Sequence, residues 1–234
     1  FSLDGFYFSN GILSVLPAFF PKNAVNADPA QVGKKFDVYL DEFAFRLNGL
    51  EASTSPAQAQ LASPRTIEVA DFNGDGYDDV FIGDQGYDAD PFPGGQNTLL
   101  LGTKDGFVKG NIPTLLDFTH SSAIGDIDND GDIDIFVGNI SAVDPYFLIN
   151  DGKAGFTKRL DLLAGLPEGR PQYTGSALVD LNGDGKLELI LGGFNSGAEI
   201  LAWSGSKFEV QSHLYQADDS SRVTTDVLAA DIDG

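Results

Sequence analysis

Asp126-Ile-Asp-Asn-Asp-Gly-Asp-Ile-Asp134 is the stretch on which the reading of this chain turns. It follows Ser122-Ala-Ile-Gly125, a run of small and apolar residues, and leads into Ile135-Phe-Val-Gly138, an apolar run closed by glycine. The same arrangement stands 55 residues upstream in Asp71-Phe-Asn-Gly-Asp-Gly-Tyr-Asp-Asp79 and 54 residues downstream in Asp180-Leu-Asn-Gly-Asp-Gly-Lys-Leu-Glu188. The flanks match too: Ile67-Glu-Val-Ala70 and Val80-Phe-Ile-Gly83 around the first, Ser176-Ala-Leu-Val179 and Leu189-Ile-Leu-Gly192 around the third. A fourth copy, Asp231-Ile-Asp-Gly234, retains only the start of the motif. Apolar runs of about four residues bounded by Gly and Asp predict buried strands, not helices.

A second hairpin follows in each repeat. Thr98-Leu-Leu-Leu101 turns through Gly102-Thr-Lys-Asp-Gly106 into Phe107-Val108. Tyr146-Phe-Leu-Ile149 turns through Asn150-Asp-Gly-Lys-Ala-Gly155 into Phe156-Thr157, and Glu199-Ile-Leu-Ala-Trp203 through Ser204-Gly-Ser206 into Phe208-Glu-Val210. Asn, Asp and Gly supply the positive φ angles such turns require. Each repeat of ~54 residues thus holds four short strands in a meander, which is one blade of a β-propeller. The fold class expected is all-β, a propeller of four-stranded blades, with a β-sandwich carrying a repeated turn as the alternative. The repeats are placed at 65–119, 120–173 and 174–224, with a partial one at 225–234.

Residues 1–64 lack the repeat and contain eight of the 18 Phe residues. Alternation at Phe6/Phe8, through Phe36-Asp-Val-Tyr-Leu40 and at Phe43/Phe45/Leu47 predicts strands of a degenerate blade or an N-terminal cap. An Ala/Ser/Gln/Pro-rich linker is expected from Ala52 to Pro64.

The loops follow the pattern D-x-[DN]-x-D-G-x-x-[DE], with oxygen-bearing side chains at positions 1, 3, 5 and 9. Calcium takes six to eight hard oxygen ligands at about 2.3–2.6 Å, and alternate residues of a tight loop can aim carboxylates at one centre. Magnesium suits the pattern less well, because it keeps several waters and demands octahedral geometry. Gly76, Gly131 and Gly185 permit the sharp turn. Tyr77, Asp132 and Lys186 at position 7 are expected to offer backbone carbonyls, which leaves their side chains free to differ. An EF-hand would need a bidentate Glu at position 12. That position is Ile82, Val137 or Leu191, so the EF-hand reading fails in all three copies. Ordinary Asn/Asp/Gly turns without an ion are the bland alternative. They would leave several carboxylates facing one another uncompensated.

An Asp-loop between two apolar strands, repeated at this period, resembles the FG-GAP/VCBS repeats of integrin α-subunit-like β-propellers. The resemblance covers about residues 65–234. It implies calcium at about three sites. The first set is Asp71, Asn73, Asp75, Tyr77 (carbonyl) and Asp79. The second is Asp126, Asp128, Asp130, Asp132 (carbonyl) and Asp134; the third is Asp180, Asn182, Asp184, Lys186 (carbonyl) and Glu188. Glu188 departs from the usual Asp, and the fourth loop keeps only Asp231 and Asp233. The resemblance also implies a nominally seven-bladed ring, so the chain is expected to be a partial or truncated propeller.

Composition narrows the function classes. With 42% apolar and 21% charged residues in 234, the chain reads as globular. Thirty-five acidic against 14 basic residues leave a formal charge of −21, which argues against a nucleic-acid partner. No apolar stretch reaches the ~18 residues of a membrane helix. Without cysteine, disulfides, zinc–thiolate sites and thiol nucleophiles are excluded. The chain has no methionine, so it is expected to be a processed or truncated piece, with any signal peptide upstream.

His120 and His213 stand in different repeats without a motif around either, and His120 is expected to be a hydrogen-bonded residue at the start of a strand. Trp203 is expected to pack between blades, with a sugar-stacking platform as its alternative role. No nucleophile elbow, zincin or phosphate-loop motif is present. The leading functional reading is a secreted or cell-surface calcium-binding propeller, an adhesion or binding module for a protein or glycan. The runner-up is an accessory or catalytic propeller of a secreted polysaccharide-degrading enzyme, and a purely structural repeat array is the third.

One irregularity bears on the partner. From the glycine closing the second strand to the start of the third, the intervals are 83–98, 138–146 and 192–199. The first repeat therefore carries an insertion, Gly86-Tyr-Asp-Ala-Asp-Pro-Phe-Pro-Gly-Gly95. In a meander it must emerge opposite the Asp-loops, where insertions often mark a binding face. Tyr87 and Phe92 are the candidate partner contacts; the alternative is a loop that merely covers a neighbouring blade.

Overall fold

The structure, a computed structural model, describes residues 6–9, 12–15, 61–88, 90, 92–140, 143–166, 172–194, 197–215 and 224–229. Among them every regular element is a strand. Strands β1 (Phe6–Ser9) and β2 (Ile12–Val15) form an antiparallel hairpin, so the Phe6/Phe8 alternation does mark a strand. The strands expected at 36–40 and 43–47, most of the expected linker and the fourth loop lie outside the described residues.

The three repeats form three antiparallel sheets. The first runs β3 (Pro64–Ala70), β4 (Asp79–Asp84), β5 (Thr98–Thr103), β6 (Gly106–Lys109) in spatial order. The second runs β7 (Thr119–Gly125), β8 (Asp134–Asn139), β9 (Tyr146–Ile149), β10 (Thr157–Arg159). In the third, β12 (Tyr173–Val179), β13 (Glu188–Gly193), β14 (Ala198–Trp203) and β15 (Phe208–Tyr215) repeat the meander. A short strand the sequence did not announce, β11 (Leu163–Ala164), lies in the connection from the second blade and pairs in parallel with β15. It covers the outer edge of the third sheet, which would otherwise present unpaired backbone groups.

These sheets are blades of a β-propeller: the first strands β3, β7 and β12 pack side by side and line a cavity of about 530 Å³. Apolar layers fill the spaces between blades. Between the first and second blades lie Phe72, Phe81 and Leu99 against Ile135, Val137, Tyr146 and Leu148. Between the second and third lie Ala123, Ile127, Phe136, Phe147 and Leu162 against Tyr173, Leu189, Leu191, Leu201 and Phe208. β8 explains why its sequence is apolar without alternation. Ile135 and Val137 face one neighbouring blade and Phe136 the other, so both faces of the strand are buried. Trp203 is half-buried against the layer between the second and third blades, its ring 5.1 Å from that of Phe208.

Polar ties also cross between blades. The Tyr146 hydroxyl donates to Asp117 Oδ2, and within the second blade Lys158 lies 3.9 Å over the Tyr146 ring. Burial pushes the Asp117 carboxyl up, and the Tyr146 hydrogen bond and the Lys158 charge pull it back down.

Candidate metal centre

Each Asp-loop joins the first strand of a blade to its second, so all three occupy the same end of their sheets. The loops close themselves by the same hydrogen bonds. The position-1 carboxylate accepts from the amides of positions 5 and 6: Asp71 from Asp75 (3.1 Å) and Gly76 (2.8 Å). Asp126 accepts from Asp130 (3.1 Å) and Gly131 (3.0 Å), and Asp180 from Asp184 (3.2 Å) and Gly185 (2.8 Å). The position-5 carboxylate accepts from the position-7 amide: Asp75 from Tyr77, Asp130 from Asp132, Asp184 from Lys186, at 2.9, 3.0 and 2.9 Å. Position 3 caps position 5 where it is asparagine, with Asn73 and Asn182 Oδ1 each 2.9 Å from the Asp75 and Asp184 amides. Gly76, Gly131 and Gly185 adopt φ of 87°, 95° and 82°, the left-handed turn expected of position 6. Ile82, Val137 and Leu191 at position 12 are buried in the following strand, where no metal ligand is possible.

In the second loop Asp126, Asp128 and Asp130 converge, with a carboxylate oxygen of each within 4.8 Å of the others. Among the described residues no other trio of acidic or histidine side chains does so. In the first and third loops Asn73 and Asn182 replace the third carboxylate with an amide oxygen. Asp132 stands apart from the trio: its carboxylate lies against Gly152, so close that a Cβ there would sit 2.5 Å from Oδ2. Tyr77 and Lys186 are exposed.

The position-9 carboxylates lie beneath the loops. Asp79 and Asp134 are fully buried and Glu188 nearly so. Asp79 accepts from the Phe72 (2.9 Å) and Gly102 (2.7 Å) amides, and Asp134 from those of Ile127 (3.1 Å) and Asn150 (2.8 Å). Thus the amide at the end of β5 or β9 orients this carboxylate, a role the sequence does not advertise. Glu188 is one carbon longer and differs: it accepts from the Leu181 amide (2.9 Å) and Asn182 Nδ2 (3.1 Å), with no bond to the β14–β15 turn.

Electrostatics follow from this placement. Burial, above all, pushes the Asp134 carboxyl up to about 7, and the charges of Asp128 and Asp130 add to it against the pull of its two amides. Asp79 is raised by burial and by Asp75 and Asp71. Asp128 is raised by burial and by Asp130 and Asp126. Asp180 is lowered, chiefly by the Gly185 amide. Dense negative charge over a buried carboxylate, with the exposed Lys186 the one basic side chain in the three loops, is a donor set that fits a hard divalent cation.

The insertion leaves the opposite end of β4, spanning 85–97 where the other blades have 140–145 and 194–197. Its base is fixed: Asp84 accepts from the amides of Ala62 (2.6 Å), Ser63 (2.8 Å) and Gly86 (2.8 Å). Gly95 and Asp117 exchange backbone bonds of 2.7 and 2.9 Å. Tyr87 is 65% exposed and Phe92 50%, the latter with its ring edge-on to Phe118 at 5.8 Å.

His120 corrects an expectation. Its Nε2 is buried with no hydrogen-bond partner, and the ring stacks on Phe118 at 5.7 Å. Burial, with the Arg65 charge, lowers it to about 4, so it is neutral. His213 stands at the edge of β15 with Nδ1 3.8 Å from Glu199, whose own carboxyl is raised by burial.

No curated protein matches the chain. The model of the FG-GAP-like repeat matches twice, over residues 71–137 and 126–191, each match running from one Asp-loop through the strand after the next. Together they span residues 71–191, just over half of the 234, and the chain belongs to the FG-GAP-like repeat family.

Proposed function

We propose that this propeller is a calcium-stabilised, extracellular binding module whose partner is a protein or glycan surface. The calcium reading is carried by one observation, the convergence of Asp126, Asp128 and Asp130 over the buried Asp134 in a loop that recurs three times. The residues assigned to the ions are those at positions 1, 3, 5 and 9, with the carbonyls of Tyr77, Asp132 and Lys186 at position 7. Such an ion would neutralise like charges where they are densest, since 12 of the 35 acidic residues lie in the three loops. Extracellular modules bind calcium with dissociation constants of ~10⁻⁴–10⁻³ M. At ~100-fold excess each site adds ~2.7 kcal/mol to folding stability. The test is thermal unfolding with calcium and with excess chelator. A melting temperature lowered by several degrees on chelation supports the reading, and superimposable curves reject it.

The partner reading assigns contact to Tyr87 and Phe92, which are exposed on the face opposite the Asp-loops. Tyr87→Ala with Phe92→Ala is expected to weaken binding to a glycan array or matrix-protein panel while leaving calcium affinity and melting temperature nearly unchanged. A double mutant that binds normally and melts several degrees earlier would make the loop a packing element.

A further inference from the structure

The 150–155 turn of the second blade lies between the first two Asp-loops and bonds to both. The Asn150 amide donates to Asp134 Oδ1 in the second loop at 2.8 Å. The side chain of the same residue donates through Nδ2 to the Phe72 carbonyl in the first loop, also at 2.8 Å, across 78 residues of sequence. The Phe72 amide in turn donates to Asp79 Oδ2 at 2.9 Å. Three hydrogen bonds therefore join the position-9 carboxylates of neighbouring loops, and all four residues on the path are buried. The docking is reinforced at the same carbonyl by the Ala154 amide at 3.2 Å. Phe156 adds an edge-on contact with Phe72 at 5.7 Å.

We propose that Asn150 is a positioning residue shared by the first two loops, so that a cation held in either raises the affinity of the other. The inference rests on the calcium reading above. When the second loop is loaded, Asp134 is fixed, and with it the Asn150 backbone and the direction of its side-chain amide. Asn150 then holds the Phe72 peptide, which aims Asp79. The ordering is incurred once, by the first loop to fill. The third loop stands outside this path. By strand register the residue equivalent to Asn150 is Trp203, which enters the β14–β15 turn with no amide side chain and packs its ring on Phe208 at 5.1 Å. Glu188 takes no amide from that turn, and among the described residues no hydrogen bond reaches from it to the Ile127 carbonyl.

Tyr77 gives a local readout, being the one aromatic side chain at position 7. Terbium bound in the first loop is sensitised by it, and the part of the signal that disappears in Tyr77→Phe reports that loop, apart from any third-loop signal from Trp203 beside Glu188. Asp130→Ala, which disables the second loop, is expected to weaken this binding about fivefold or more. Asp184→Ala, which disables the third, leaves it unchanged. In an Asn150→Ala background, Asp130→Ala has no further effect. The contrast between Asp130→Ala and Asp184→Ala needs no change at Asn150, so it decides the matter even if Asn150→Ala folds poorly. Equal effects of the two loop variants, or none, overturn the coupling. A persistent Asp130→Ala effect without Asn150 overturns the role of that residue. Absence of any calcium-displaceable terbium signal in the unaltered protein instead overturns the calcium reading itself.

Discussion

Gly152 is held by two constraints at once. Its φ is +74°, and a Cβ there would stand 2.5–2.8 Å from the Asp132 carboxylate. Gly205, in the matching turn of the third blade, has φ +95° but nothing within 4 Å. Gly205→Ala should therefore cost about 1 kcal/mol of backbone strain. Gly152→Ala must also displace the Asp132 carboxylate, the movable end of a side chain, and should cost only slightly more, about 1–2 kcal/mol; urea denaturation of the two variants measures the difference. His120 makes a second prediction at this scale. In the unfolded chain the imidazole charges below its ordinary 6.5, whereas in the fold it stays neutral down to about 4. Its contribution is thus intact above pH 6.5 and is lost as pH falls from 6.5 toward 4. With solvent screening allowed for, the loss is about 1–2 kcal/mol. The stability difference between wild type and His120→Phe should be flat above pH 6.5 and should move against the wild type below it. A proton titration of the ring by NMR checks the value itself.

At the scale of elements, β8 is the strand with most to lose, because Ile135, Phe136 and Val137 are all fully buried between two blades. Phe136→Ala should cost about 3–5 kcal/mol. Val108→Ala on the outer strand β6, where the side chain is 46% exposed, should fall within about 0.5 kcal/mol of wild type. Loops respond locally for the same reason that blades touch mainly their neighbours. Asp130→Ala removes the acceptor of the Asp132 amide and leaves Asp126 and Asp128 facing each other. Hydrogen exchange is expected to rise in β7, β8 and the two loops braced by the 150–155 turn, and to stay at wild-type levels in β13 to β15. A uniform rise along the chain would contradict that locality.

Over the whole molecule the dominant electrostatic fact is a formal charge of −21. The Debye length shrinks from about 30 Å at 0.01 M salt to about 8 Å at 0.15 M, so added sodium chloride screens this self-repulsion. The chelator-treated protein should melt higher as salt is raised over that range, by about 2–4 °C for each kcal/mol of repulsion relieved. The calcium-treated protein should respond less, because three divalent ions would already reduce −21 to −15. Parallel salt series by calorimetry separate the two. An equal response in both would mean that the loops are not where the repulsion resides.

The Asp-loops, the strands around them and the propeller class were legible in the sequence because each is specified by neighbours along the chain. Turn glycines, alternate oxygens and four-residue apolar runs act over a few residues, and repetition separates them from coincidence. β8 could be read as buried on both faces from Ile135-Phe-Val alone, since a strand enclosed by two blades needs no polar side. What lies between blades could not be read. Asn150 looks like any turn asparagine until the fold brings Phe72 to it across 78 residues. The buried, amide-held position of Asp79 and Asp134 depends on Gly102 and Asn150 at the ends of other strands. His120 lost its expected hydrogen bond because packing against Phe118 and burial decide its surroundings. Local chemistry wrote the loops; only the docking of one blade on the next determined which groups they share.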